Sequence, residues 1–266
     1  MNLKLTREDK EEFHRSCEEI LEQERVRLGI GTLSEKTVHA VLKRYLVPDT
    51  NCHEIKCGRY VADILCDGEI MEIQTAGFNR LRAKLETFLK EYDVTVVYPI
   101  PHIKWLIWID EETGEFSKKR RSPKVGSYQE AFYELYKIKM FLHHPNLHFR
   151  FILMDVEEYR LLNGYSKDRK KGSERYDRIP VELVEDKFIN TPEDFKELVP
   201  EELSEPFSVK MFQKATKLSL GKAGTAVNVL AHLGVIRQVG KDKNAYLYER
   251  NFTDSVHSMY VMHTIN

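Results

Sequence analysis

With 266 residues, 42% of them apolar and 31% charged, the chain is long enough to bury one large core or two smaller ones and too apolar to remain disordered. No apolar run approaches the roughly 18 residues that a membrane-spanning helix requires, and the start, MNLKLTREDKEEF, is too charged for a signal peptide, so no membrane partner and a cytoplasmic location are expected. The net charge of −1 is unevenly spread: residues 206–250 carry eight basic and two acidic side chains, a local +6 that leaves −7 for the rest and points to a polyanion near the C-terminal end.

Thr6 and Asp9 form a capping box, after which Phe13, Ile20, Leu21 and Val26 recur among charges at helical spacing, predicting an amphipathic helix from Arg7 to about Arg27. Gly29, Gly31 and Thr32 break it. Ser34 then caps a second helix, Glu35 to about Leu46, with Val38, Val41, Leu42 and Tyr45 as its apolar stripe and Pro48 beyond its end. Three short strands follow, over His53 to Arg59, Tyr60 to Cys66 and Ile70 to Thr75, the last two joined by the hairpin dipeptide Asp67-Gly68. Cys17, Cys52, Cys57 and Cys66 include no CxxC pair and read as reduced thiols, and Cys52, His53 and Cys57 fit no common zinc spacing.

A helix from about Asn79 to Glu91 carries Leu81, Leu85, Phe88 and Leu89 on one face, and Val94, Val96, Val97 and Ile100 make a buried strand. Lys104 to Ile109 reads as a further strand, Lys118 to Lys124 as a charged loop, Tyr128 to His143 as a helix and Phe149 to Val156 as the last strong strand of the first half. The polar stretch from Glu157 to Glu205, with the basic run Lys167, Arg169, Lys170 and Lys171, holds the domain boundary late in its length. The expected domains are 1–190, 191–250 and a tail, 251–266.

Chemistry enters through the hairpin. If Asp67 and Gly68 are the two central turn residues, Cys66 faces Glu69, and Asp63 falls opposite Glu72. Opposed side chains on one face have Cβ atoms about 4.5 to 5.5 Å apart, where like charges repel. A divalent cation with hard oxygen ligands is the natural compensation. Gln74 falls on the same face, while Ile64, Cys66, Met71 and Ile73 point to the other, so one face is core and the other carries the site. An exposed acidic edge is the alternative reading of the pair. Pro48-Asp49 reads as an ordinary turn, which favours Asp63 over Asp49. Lys84 either reaches the pair as a replacement cation or, with Arg80 and Arg82, solvates its helix or touches phosphate.

Asp63, followed nine positions later by Glu72-Ile73-Gln74 on a hairpin flanked by helices, resembles the PD-(D/E)xK nuclease superfamily over roughly residues 30–100. The first half also resembles an uncharacterised bacterial family with a similar core. The resemblance implies an α/β fold with a restriction-endonuclease-like mixed sheet flanked by helices. It implies a metal-dependent nuclease acting on DNA, with RNA left open as substrate, in which Asp63 and Glu72 bind Mg²⁺ or Mn²⁺. Gln74 stands where the superfamily usually has a lysine that positions or activates the attacking water, as in some restriction enzymes that carry glutamine there. Glu35 sits where many members supply a further glutamate from the first core helix, with Glu54 ranked behind it, so the implied catalytic set is Glu35, Asp63, Glu72 and Gln74. Gln74 also sustains the alternative, a catalytically inactive nuclease-like DNA-binding regulator whose fold serves binding or homodimerisation.

Residues 206–250 read as helix, turn, helix and hairpin: Ser208 caps a helix with Val209, Phe212 and Ala215 inward, and Lys222 to Leu233 forms a second with Ala226, Val229 and Leu230 inward. Val235 to Val239 and Ala245 to Tyr248 bracket a polar turn. The unit resembles a winged helix, which implies that Lys222, Thr225, Asn228 and His232 face bases or phosphates and that Lys241 and Lys243 lie on the wing. Protein contact or dimerisation is the alternative use of such a module.

Overall fold

The Thr6 amide donates to Asp9 Oδ2 at 2.8 Å and the Asp9 amide to Thr6 Oγ1 at 3.1 Å, a reciprocal cap that satisfies two amides at the start of α1 (Arg7–Leu28). The computed structural model describes residues 5–28, 37–110, 112–165 and 171–251, which form two compact units, Met1–Thr191 and Pro192–Asn266. Glu35 and the expected cap Ser34 lie outside the described residues.

In the first unit α2 (Thr37–Leu46) buries Val38, Val41, Leu42 and Tyr45, and the Tyr45 ring meets Phe13 of α1 edge-on at 5.4 Å between centroids. Strands β1 (His53–Cys57), β2 (Tyr60–Cys66) and β3 (Glu69–Ile73) form an antiparallel meander. A 3₁₀ turn (Phe78–Leu81) and α3 (Arg82–Phe88) then cross over to β4 (Asp93–Ile109), which runs parallel to β3. β5 (Arg120–Val125) pairs with the outer part of β4, α4 (Phe132–Leu135) follows between two 3₁₀ turns, and β6 (Leu147–Tyr165) returns parallel to β4 with β7 (Lys171–Ile189) antiparallel beside it. The result is a seven-stranded mixed sheet in the order β1-β2-β3-β4-β6-β7, with β5 on β4, flanked by helices.

Both faces of that sheet are covered. Phe13, Val38, Val41 and Leu42 of α1 and α2 pack with Ile64, Ile73, Val97 and Ile152 on one face. On the other, Phe78 meets Tyr98 edge-on and Phe88 meets Tyr60, with Leu81, Leu85, Phe132 and Leu135 buried. Burying each such side chain contributes about 1.5 to 3 kcal/mol. The crossover helix thus lies over the face expected to carry the site, with Lys84 reaching Glu72 there.

Other elements also differ from the sequence reading. Val94 to Ile100 and Lys104 to Ile109 are one strand, because Pro99 and Pro101 fall between the last β3 partner at Val97 and the first β5 partner at Ile103, where that side of β4 needs no donor. The expected helix from Tyr128 to His143 is mostly 3₁₀ and kinks at Ile138, whose φ of −120° is not helical. The polar stretch after Val156 is the long β6–β7 pair, hidden from apolar alternation because ion pairs fill inward positions. Glu158, fully buried, accepts from Arg178 Nε at 2.7 Å and from Arg160 Nε at 2.7 Å.

In the second unit, β8 (Phe207–Ser208) leads into α5 (Val209–Thr216), and Lys217 turns the chain with a left-handed φ of 56° into α6 (Leu220–His232). Ser208 and Ser219 cap the two helices, and the Ser219 cap starts α6 two residues earlier than expected. β9 (Ile236–Asp242) and β10 (Ala245–Arg250) form a tighter hairpin than expected, closed at Lys243 and Asn244, and β8 completes a three-stranded sheet in the order β8-β10-β9. Phe207, Phe212, Ala226, Val229 and Leu230 form its fully buried centre.

Candidate functional site

The β2–β3 register is the one the Asp67-Gly68 turn dictates: Cys66 pairs with Glu69, Leu65 with Ile70 and Ile64 with Met71. The paired ladder stops there, one step short of Asp63 and Glu72. Beyond it, side chains fill the gap between the strands. The Ile73 amide donates to Asp63 Oδ2 at 2.8 Å, so a carboxylate replaces the carbonyl that the ladder would have offered. The Val61 carbonyl, freed on the facing strand, accepts from Lys84 Nζ at 2.8 Å.

Lys84 projects from α3 and donates also to both Glu72 oxygens, at 3.0 and 2.7 Å. Its three N–H groups are thus all used. The Glu72 side chain is 3% exposed, and the Asp63 amide lies 3.4 Å from Glu72 Oε1. Burial, then the charge of Asp63, pushes the Glu72 carboxyl up to about 7, against the pull of Lys84. Asp63 goes the other way: burial opposes its ionisation, but His39 Nε2 at 3.0 Å, the Ile73 amide and Lys84 together hold it below the ordinary aspartate range. The pair therefore splits into one firmly ionised carboxylate and one that titrates near neutrality.

Of the residues singled out in the sequence, Asp63, Glu72 and Lys84 come together, with Lys84 in contact with Glu72. Gln74 follows β3, with its amide on Val97 O at 2.9 Å, but its side-chain Nε2 donates to the Ala76 carbonyl within its own turn. Glu54 is drawn away: it pairs with Lys43 and its side chain is 57% exposed. Asp49 caps the turn Thr50–Cys52 by accepting from the Asn51 amide at 2.9 Å. His53 Nε2 donates to the Val47 carbonyl oxygen at 2.8 Å, and all four cysteines are free. Sequence reasoning missed His39; the only signal was an imidazole beside the Val38 and Leu42 stripe.

The Asp63–Glu72 pair offers two hard-oxygen side chains, and among the described residues no cluster of three or more His, Cys, Asp or Glu side chains is arranged to hold a metal ion. In the second unit, α6 presents Asn228 and His232 on its exposed side, and Thr225 Oγ1 donates to the Gly221 carbonyl at 3.0 Å. Lys222 lies in the first turn of α6. On the hairpin, Lys241 Nζ lies 4.5 Å from the centroid of the exposed Tyr246 ring, and Lys243 is exposed at the tip.

A family described as Domain of unknown function (DUF8091) matches residues 36–190, the stretch that holds Asp63, Glu72 and Lys84. An "Uncharacterized protein" of Treponema pallidum (strain Nichols) is 28% identical over 217 residues, covering 80% of this chain and 82% of its own. No solved structure matches the chain. No helix among the described residues is long and apolar enough to cross a membrane.

Proposed function

Since the chain belongs to the family described as Domain of unknown function (DUF8091), a description that names no chemistry, we propose a function on the site alone: metal-dependent hydrolysis of phosphodiester bonds, in DNA before RNA. One observation carries it. Lys84 lies on Glu72, so a helix supplies the ammonium that the Glu72-Ile73-Gln74 motif lacks at its third position.

The chemistry of the donors fits a hard divalent cation. The buried carboxyl of Glu72 lies beside the partly buried one of Asp63, and Glu72 is held back from ionising by burial and by its neighbour, a frustration that a second cation relieves. Asp63 and Glu72 would hold Mg²⁺ or Mn²⁺, which when bound supplies an activated water and charge against the phosphate. The chain's own residues do the rest. His39 and the Ile73 amide fix Asp63 as an ionised acceptor, and Lys84, a quarter exposed, holds a positive charge at the mouth of the pair where anionic oxygen develops. The second unit supports engagement of duplex DNA in the manner of a winged helix, with Lys222 and Asn228 of α6 toward a groove and Lys241 and Lys243 toward the backbone.

A second reading, a DNA-binding regulator without catalysis, is favoured by one contact: the Gln74 amide is engaged by Ala76 O. Incubation of the full chain with plasmid, linear and single-stranded DNA in Mg²⁺ and in Mn²⁺ separates the two. Cleavage that disappears in Asp63→Ala and in Lys84→Met supports the enzyme; binding without cleavage in either metal supports the regulator.

A further inference from the structure

Beside the carboxylate pair, the first unit opens a cleft of about 270 Å³ whose walls carry Lys104 of β4, Lys124 of β5, and Arg175 and Arg178 of β7. Its near edge is Thr75 and Ala76, which follow Gln74 directly. Three residues of chain span at most about 11 Å, so the cleft begins within that distance of the Glu72 backbone.

The cations there are gathered around a few carboxylates. Lys124 pairs with Glu130 at 2.7 Å, and Glu158, fully buried, serves Arg178 at 2.7 Å, Arg160 and, more distantly, Lys104 at 3.9 Å. Asp177 lies beside Arg175. Burial, together with Arg178 and Arg160, holds the Lys104 ammonium below its ordinary value despite Glu158, and burial with Arg178 does the same for Arg175. Like charges gathered in a partly dry cleft are relieved by an anion with several acceptor oxygens. The wall is also fixed. A Cβ at Gly126 would fall 2.0 Å from the Pro101 carbonyl oxygen, and the Gly126 amide donates to His102 O at 2.8 Å, so the end of β5 is pressed onto β4 with Lys124 held over the cleft.

We propose that this cleft seats one backbone phosphate of a nucleic-acid strand that passes the Asp63–Glu72 pair. The volume lies just below the range of ordinary ligand sites and suits one phosphate with its sugar rather than a larger ligand. The assignment rests on the phosphodiesterase reading for its choice of strand, and its test is kept independent of cleavage.

The test uses the full chain in EDTA, so that hydrolysis plays no part, with Lys124→Gln plus Arg175→Gln, two changes that spare the buried Glu158–Arg178 pair. Fluorescence anisotropy with a single-stranded oligonucleotide, run against salt, is expected to show weaker binding and a log–log slope reduced by about 1.4, two phosphate-facing charges on a single strand. Unchanged melting of the double variant certifies its fold. An unchanged slope with an intact melt overturns the proposal. Thermal stabilisation by inorganic phosphate that is lost in the double variant, with no oligonucleotide binding by the wild type, also overturns it and makes the cleft a small-phosphoanion pocket. A reduced slope in a protein that cuts nothing in Mg²⁺ or Mn²⁺ supports the cleft while removing the nuclease reading.

Discussion

Lys84 and Glu72 of the first unit meet at 2.7 Å with Glu72 3% exposed, whereas Arg237 and Glu249 of the second meet at 2.6 Å with Arg237 64% exposed. The distances are alike and the energetics are not. Removing one partner of a buried pair strands a desolvated charge, which destabilises by about 3 to 5 kcal/mol, while an exposed pair is screened and contributes about 0 to 1 kcal/mol. The first unit thus stores electrostatic tension at a fixed place, and the second spreads positive charge over a face open to solvent.

The largest expected effect breaks this comparison at its centre. Above pH 7, where Glu72 is ionised, Lys84→Ala should destabilise the protein by about 3 kcal/mol, near the low end for a buried pair because Lys84 is a quarter exposed, and Arg237→Ala by less than about 1 kcal/mol. Urea unfolding measures both. Similar losses in the two variants would show that the Glu72 site is wetter than its 3% exposure indicates.

The next effect is a pH slope. Glu72 titrates near 7 in the folded chain against an ordinary value of 4.5, so between those values the folded state holds a proton that the unfolded state has released. Its contribution is fully present below about 4.5 and is lost as pH rises toward 7, by about 3 kcal/mol in total. Asp63 has the opposite sign, but its lowered value acts only below the ordinary aspartate range, outside this window. Glu72→Gln should therefore flatten stability between pH 4.5 and 7. A wild-type curve that rises through that interval would contradict the burial of Glu72.

Much of this arrangement was legible because it rests on local rules. The Asp67-Gly68 dipeptide fixes the register that brings Asp63 toward Glu72, and the apolar stripe of α2 fixes which residues meet Ile64 and Ile73. What was not legible depends on distant partners. That the ladder stops at Ile64 and Met71, that the Ile73 amide bonds to Asp63, and that His39 closes the site are outcomes of how α2 and α3 settle on the sheet. The β6–β7 pair was obscured for a related reason: Glu158 is buried by guanidinium groups from both strands, and no period-2 apolar pattern announces an ion pair. Glu35 lies outside the described residues.

A smaller effect probes the second unit. Under the proposed engagement of duplex DNA, Lys241→Ala with Lys243→Ala should reduce the log–log salt slope of binding by about 1.8 and leave melting unchanged, as exposed side chains at a hairpin tip should. Anisotropy with a duplex oligonucleotide from 50 to 200 mM salt reads it. A preserved slope would turn this hairpin toward protein contacts.

The smallest predicted effect decides which residue acts as the cation of the motif. Gln74 is uncharged, and its Nε2 is engaged by the Ala76 carbonyl, so Gln74→Ala removes one partly exposed hydrogen bond, about 1 kcal/mol of stability. If Lys84 supplies the charge at Glu72, the same change should lower cleavage by less than about tenfold, whereas Lys84→Met, which keeps the length of the side chain but not its charge, should lower it by about 100-fold or more, as for a lost preorganised donor. Gln74→Lys places a second ammonium two residues along the chain from Glu72 without removing the first, and should leave the rate within a few-fold of wild type. Single-turnover cleavage of the three variants, each confirmed folded at the assay temperature, makes the comparison. A large loss in Gln74→Ala with a small one in Lys84→Met would move the active polar group back to the strand and leave the Lys84 contact as a purely structural ion pair.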